Sequence, residues 1–216
     1  MKAYIIHEND EWTTPLKLEL KALGVEFEDW HVEKANIDLG KNPPEGIFYN
    51  RMSASSHARG HLYAPEFTAT ILNWLKNHKR GIINNGNALA LEISKSLQYL
   101  KLNEIGIKTP KSIYCNSKEQ IVKAADHFSK PFITKHNRAG RGLGVKLFQN
   151  KDELKTYVKE ATDVSPDHPV VISKFMLNSL EVDVDGVSNG EQVVIGEIVE
   201  HIDSAGVHSG CLFIHI

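Results

Sequence analysis

The ten residues KHNRAGRGLG, 135–144, set Lys135, His136, Arg138 and Arg141 among Gly140, Gly142 and Gly144. This combination suits an anion. Glycines let backbone amides approach phosphate oxygens closely, and the basic side chains offset the charge. The established phosphate-loop spacings do not fit. A Walker A loop needs G-x-x-x-x-G-K-[ST], and a dinucleotide fold needs G-x-G-x-x-G between strand and helix. Here the spacing is G-x-G-x-G, and the residues that follow, GVKLF, read as a strand. The stretch is therefore expected at the tip of a β-hairpin. A solvated turn with incidental basic residues fits the same ten letters, and the loop alone does not separate the two readings. A nucleic-acid groove would want interleaved aromatic rings, and none lies between Lys135 and Val145.

A second basic cluster, Arg51, His57, Arg59 and His61, is interleaved with Ser53, Ser55 and Ser56. Arg51 or Arg59 is a candidate to bind a substrate carboxylate; an exposed basic loop is the equally simple alternative. His57 and His61 are four apart, as helical metal ligands are, but SSHARGH supplies no supporting acid, so no metal ligand is expected.

The elements that must position these residues follow from periodicity. Residues 2–7 and the alternating VEFEDWHV, 25–32, read as strands around a helix ending at Gly24. Pro43 and Pro44 mark a turn before the apolar GIFYNRM. A helix is expected from Pro65, a first-turn proline, to His78, then a short strand at 81–84. Leu89, Ile93, Leu97, Leu100 and Ile105 form one helical stripe that carries Lys95. Ser117 with Gln120, and Asn150 with Glu153, are helix-opening pairs. KPFITK delivers the chain into the glycine loop, HPVVISKFM reads as a buried strand, and Asn189-Gly190 marks a hairpin.

The sequence contains 41% hydrophobic and 24% charged residues with a net charge of −2, so no global field draws it to nucleic acid or membrane. Neither a signal peptide nor a membrane span is apparent, and the two cysteines, Cys115 and Cys211, have no metal-type or disulfide spacing. A cytoplasmic protein is expected; a homo-oligomer is left open.

The setting of the loop resembles the ATP-grasp superfamily. SKSLQYLKLNEIGIKTP is similar to that superfamily's helix with an early lysine, and PFITKHNRAGRGLGVKLF to its second lysine and glycine-rich flap. Residues 1–150 resemble the RimK-type α-L-glutamate ligases, in which GIFYNRMSASSHARG falls at an Arg-bearing loop. Residues 152–210 resemble the large chain of carbamoyl-phosphate synthase. The fold implied is α/β (α+β): a small pre-ATP-grasp α/β domain over 1–85, a first ATP-grasp lobe over 86–170, and an incomplete second lobe over 171–216.

The resemblance implies that Lys95 and Lys135 contact ATP phosphates, with Gly140, Arg141 and Gly142 in the flap above them. Lys95, Lys135 and Arg141 would then be catalytic. It implies further that Lys174 and Met176 meet the adenine edge, that Glu181 accepts the ribose hydroxyls, and that Gly206, Val207, His208 and Ser209 touch the nucleotide. Taken singly, Lys95 would more simply be a solvated lysine and Glu181 the outward side of a strand; their order and spacing give them the other reading.

The expected cofactors are ATP and Mg²⁺, the partner a small carboxylate or amine. Superfamily sites hold Mg²⁺ with late acidic residues and a Glu-x-Asn, whereas after Gly210 this sequence has only CLFIHI, without an acid. The chain is thus expected to stop before the metal-binding strands, and its tail to be an unpaired edge strand or an aggregation-prone end. The implied activity is carboxylate–amine ligation through an acyl-phosphate. The alternatives are a carbamoyl-phosphate synthase-like fragment and an ATP-binding remnant without turnover.

Overall fold

Four short apolar runs near the N-terminus become strands β1 (Ala3–His7), β2 (Phe27–His31), β3 (Ile47–Asn50) and β4 (Gly81–Ile83). They form one parallel sheet in the order β2-β1-β3-β4. This is a computed structural model, and it describes residues 1–138, 145–160, 168–201 and 213–215. A parallel sheet needs crossover helices to cover it. Here these are α1 (Asp10–Ala22) and α2 (Ala64–Asn77), and α3 (Gly86–Glu92), which follows β4, adds Leu89 to the same core. Asn9 caps α1 by accepting the Trp12 amide at 3.0 Å, which starts the helix earlier than its leucines suggest. Tyr4, Ile6, Phe48, Ile71, Leu72, Leu75 and Leu89 make the core between sheet and helices. Each such fully buried side chain is worth about 1.5–3 kcal/mol. Gly46 admits no side chain: at φ 153 its Cβ would stand 2.4 Å from the Lys2 carbonyl oxygen.

The second body contains α4 (Lys95–Glu104), β5 (Ser112–Cys115), α5 (Lys118–Ala124), β6 (Phe132–His136), β7 (Lys146–Phe148), α6 (Lys151–Glu160) and β8 (Val170–Lys174). Its antiparallel sheet runs β5-β8-β6-β7. Phe132, Phe148, Leu154, Ile121 and Ile172 form its core. Both helix-opening pairs are present. Ser117 Oγ accepts the Gln120 amide at 3.2 Å, and Asn150 Oδ1 accepts the Glu153 amide at 2.9 Å. The single helix expected over 88–105 is broken. Ser94 adopts an extended backbone (φ −141, ψ 106), and its hydroxyl accepts the Leu97 amide, so a new helix begins at Lys95.

The third body is the hairpin β9 (Val182–Ser188) and β10 (Val193–His201), with β11 (Phe213–His215) antiparallel beside β10. Asn189 Oδ1 closes the turn on the amides of Glu191 and Gln192, and Gly190 takes φ 96. The expectation of an unpaired tail is corrected here, because Phe213–His215 pairs with Val199–His201. Among the described residues no helix is long and apolar enough to cross a membrane.

Candidate functional site

Strand β6 carries Lys135 in register with Val171 of β8, at the end that leads into the glycine loop. Its Nζ donates to the Tyr99 hydroxyl at 3.1 Å and lies 5.8 Å from that ring's centroid. Tyr99 belongs to α4, whose first residue is Lys95. Two positions beyond Lys135, Asn137 ties the same helix down with three bonds. Its carbonyl accepts the Lys95 amide at 3.0 Å, its Oδ1 the Ser96 amide at 2.9 Å, and its Nδ2 donates to Ser94 Oγ at 3.3 Å. The first amides of α4, which lack intrahelical partners, are thus satisfied by the residue that follows β6. Both candidate phosphate-binding lysines spring from this one junction.

The next residue, Arg138, turns back to the first body. It grips the Glu66 carboxylate of α2 with both terminal nitrogens, at 2.8 and 3.0 Å, and reaches the Leu62 carbonyl at 3.0 Å. Gly140, Arg141 and Gly142 lie outside the described residues, as do Gly206, Val207, His208 and Ser209. Lys174 ends β8 with its side chain exposed; Met176 is exposed in the link that follows, and Glu181 is exposed just before β9. The Glu181 carbonyl accepts the His201 amide at 2.9 Å, fixing the start of the hairpin.

The second basic cluster lies at the carboxyl ends of the parallel strands, where open α/β sheets bind ligands. A cavity of about 470 Å³ opens there, lined by Trp12, Asn50, Arg51, Ser53, Ser55, Asn84 and Glu92 among others. Asn50 and Asn84 exchange side-chain to carbonyl bonds at 2.9 and 3.2 Å and close its floor. Arg51 is exposed at the cavity. Arg59 is differently employed: it is paired to the buried Glu8 carboxylate, donates to Ser55 Oγ at 2.8 Å and stacks 4.4 Å over Trp12. His61 also finds an acid that its neighbours in sequence do not offer, Glu33.

The family described as "Carbamoyl-phosphate synthase L chain, ATP binding domain" matches residues 94–210, more than half of the chain. The chain belongs to this family. The C-terminal section of the carbamoyl phosphate synthase large chain of Aquifex aeolicus is 42% identical over 107 residues, which is 50% of this chain and 20% of that protein. The Haemophilus ducreyi large chain is 37% identical over 109 residues, 50% of this chain and 10% of that one. The chain therefore spans only a fifth or less of these relatives.

Solved structures share the fold at low identity. A RimK domain ATP-grasp protein from Sphaerobacter thermophilus superposes with TM-score 0.68 at 16% identity, covering 93% of this chain and 72% of that one. D-alanyl-alanine synthetase A from Vibrio cholerae gives 0.69 at 12%, covering 99% and 73%. N5-carboxyaminoimidazole ribonucleotide synthetase in its ADP complex gives 0.68 at 14%, covering 95% and 55%. The mixed α/β ATP-grasp fold and the ATP-grasp membership expected from the sequence both stand, with each resemblance represented.

Three residues that shape this candidate site escape a reading of the sequence. Tyr99, Asn137 and Glu66 act on partners 36 to 72 positions away. The one local signal was Ser94, a capping residue four places before the polar Gln98 in the middle of an apolar stripe.

Proposed function

We propose that this ATP-grasp chain binds ATP between its second and third bodies and serves a ligase that joins a carboxylate to an amine. The observation that carries the reading is the junction at Asn137, which starts α4 at Lys95 while Lys135 leaves β6 beside it. Two ammonium groups from elements forty residues apart in sequence then serve one polyphosphate. Lys95 and Lys135 hold the phosphates and, with Arg141, offset the charge that develops at phosphorus. Gly140 and Gly142 offer amides to the same oxygens, and Gly206, Val207, His208 and Ser209 complete the nucleotide contacts. Lys174 and Met176 present backbone to the adenine edge, and Glu181 accepts from the ribose hydroxyls.

In the reaction proposed, a carboxylate oxygen of the substrate attacks the γ-phosphorus, and the bond to the β,γ-bridging oxygen breaks to release ADP. The amine nitrogen then attacks the acyl carbon, phosphate leaves, and the nitrogen loses a proton to solvent. Arg51 at the cavity of the first body holds the substrate carboxylate, while Arg59 supports Ser55 and Trp12 beneath it. Magnesium, when bound, neutralises phosphate oxygens. Asp185 and Glu197, in register across β9 and β10, are candidate oxygen donors for it. The stronger identity to carbamoyl-phosphate synthase chains supports a second reading, with carbamate as the acid that is phosphorylated.

Calorimetric titration with ATP and Mg²⁺, beside an ADP-release assay, tests both. Binding with ADP release that depends on an amino acid supports the first reading, and release that depends on bicarbonate and ammonia the second. Binding without release leaves an ATP-binding remnant, and no binding overturns the proposal. Lys135→Ala is expected to weaken ATP by about 10- to 100-fold, the worth of a hydrogen bond to a charged group at about 1.5–3 kcal/mol.

A further inference from the structure

At the same carboxyl edge of the first sheet, beside an opening that shares no lining residue with the cavity at Arg51, two histidines stand side by side. His7 ends β1 and His31 ends β2 in direct register, with ring centroids 5.1 Å apart and planes at 79°. Asp10, the first residue of α1, hangs over them. One ring nitrogen from each histidine and one Asp10 oxygen all lie within 4.8 Å of one another. Four ligands around zinc at about 2.0–2.1 Å stand roughly 3.3 Å apart, so modest closure would seat an ion.

We propose that His7, Asp10 and His31 bind a divalent transition-metal ion of the zinc class, at a site separate from the nucleotide. His7 is 1% exposed. Its Nε2 faces two carboxylates, Asp29 Oδ1 at 2.5 Å and Asp10 Oδ1 at 3.9 Å, and its Nδ1 is buried without a hydrogen-bond partner among the described residues. Nε2 is thus the nitrogen turned toward Asp10, and an ion seated between them would replace its contact with Asp29. Asp29, on that same nitrogen, keeps its ion pair with Lys17 when the His7 contact gives way. An opening of about 380 Å³, lined by Asp10, Asp29, His31 and Lys34, gives the ion an entry path.

Two ammonium groups now balance the acids. Lys17 is 2.5 Å from Asp29 and 3.5 Å from Asp10, and Lys34 is 3.5 Å from Asp10. Lys34 is 72% exposed and leaves at little cost, while Lys17 stays on Asp29. Two imidazoles and a carboxylate suit zinc, cobalt or nickel rather than Mg²⁺ or Ca²⁺, which take oxygen ligands.

The test uses the full chain in a Cys211→Ser background, stripped with chelator and titrated with Zn²⁺ alone by calorimetry and with Co²⁺ by visible absorption. One ion per chain is expected, with the cobalt spectrum of a four-coordinate nitrogen–oxygen site and no displacement by excess Mg²⁺. His31→Ala, at a partly exposed position, should keep the melting curve of the metal-free chain and lose at least about tenfold in zinc affinity. Asp10→Asn, which weakens the carboxylate ligand, should lose at least about tenfold as well. Absence of zinc binding would reduce the cluster to an ion-pair network and overturn the proposal. So would equal affinity in His31→Ala, because the ion would then sit elsewhere.

Discussion

Replacing Asn137 by alanine removes two side-chain bonds and spares two backbone ones. The lost pair are the Ser96 amide to Oδ1 at 2.9 Å and Nδ2 to Ser94 Oγ at 3.3 Å. The Lys95 amide to the Asn137 carbonyl and the Asn137 amide to the Pro169 carbonyl persist. Each lost bond is worth about 0.5–1.5 kcal/mol net, and the first leaves a helix-start amide to find water instead. The sum is about 1–3 kcal/mol, which at this chain length lowers Tm by roughly 2–12 °C. The functional effect should exceed the stability effect, because α4 loses the tie that sets Lys95 beside Lys135. ATP affinity is expected to fall about tenfold even at temperatures where the variant is fully folded. Urea denaturation followed by circular dichroism and ATP calorimetry at 15 °C read the two quantities separately. Asn137→Asp, which keeps the acceptor and loses the donor, should fall between. A variant within about 0.5 kcal/mol of the parent and unchanged in ATP affinity would refute the idea that Asn137 organises the site.

Leu154→Ala empties a site that is 0% exposed between α6 and the second sheet, so it should cost about 2–5 kcal/mol by urea denaturation; a cost below 1 would mean the core there is loosely packed. Acid sensitivity should come partly from Asp126 and Asp152. The Lys151 hydrogen bond holds the Asp126 carboxyl below its usual range, and the Lys155 hydrogen bond does the same for Asp152. A carboxyl depressed in the folded state contributes its stability above the unfolded pKa and loses it as pH falls through the folded one. Stability should therefore be level at neutral pH and decline below about pH 4. Asp126→Asn should make that decline shallower in pH-dependent melts; an unchanged slope would mean the pair is not maintained in solution.

Local rules made much of this fold legible. The hairpin at Asn189-Gly190 and the caps at Ser117 and Asn150 appear where short-range chemistry demands them. The break at Ser94 did not show, because the leucine stripe runs through it. That stripe overstated burial: Leu97, Leu100 and Ile105 are 43%, 64% and 58% exposed, and of the five apolar positions Leu89 alone is buried in the first core. The basic cluster at 51–61 looked uniformly cationic because its acids, Glu8 and Glu33, arrive from other strands and loops. Types of contact that depend on the third dimension, such as Arg138 on Glu66, have no periodic signature to find.

The pairing of Glu8 with Arg59 also constrains how this chain can vary. Glu8 is 3% exposed and lies 51 positions from its partner. Removing Arg59 alone strands the Glu8 carboxylate in a dry setting, at about 3–5 kcal/mol, whereas exchanging both for apolar groups of like volume can be neutral. Drift at position 8 is therefore yoked to drift at position 59, and anyone recutting the floor beneath Trp12 and Ser55 must treat two distant codons as one.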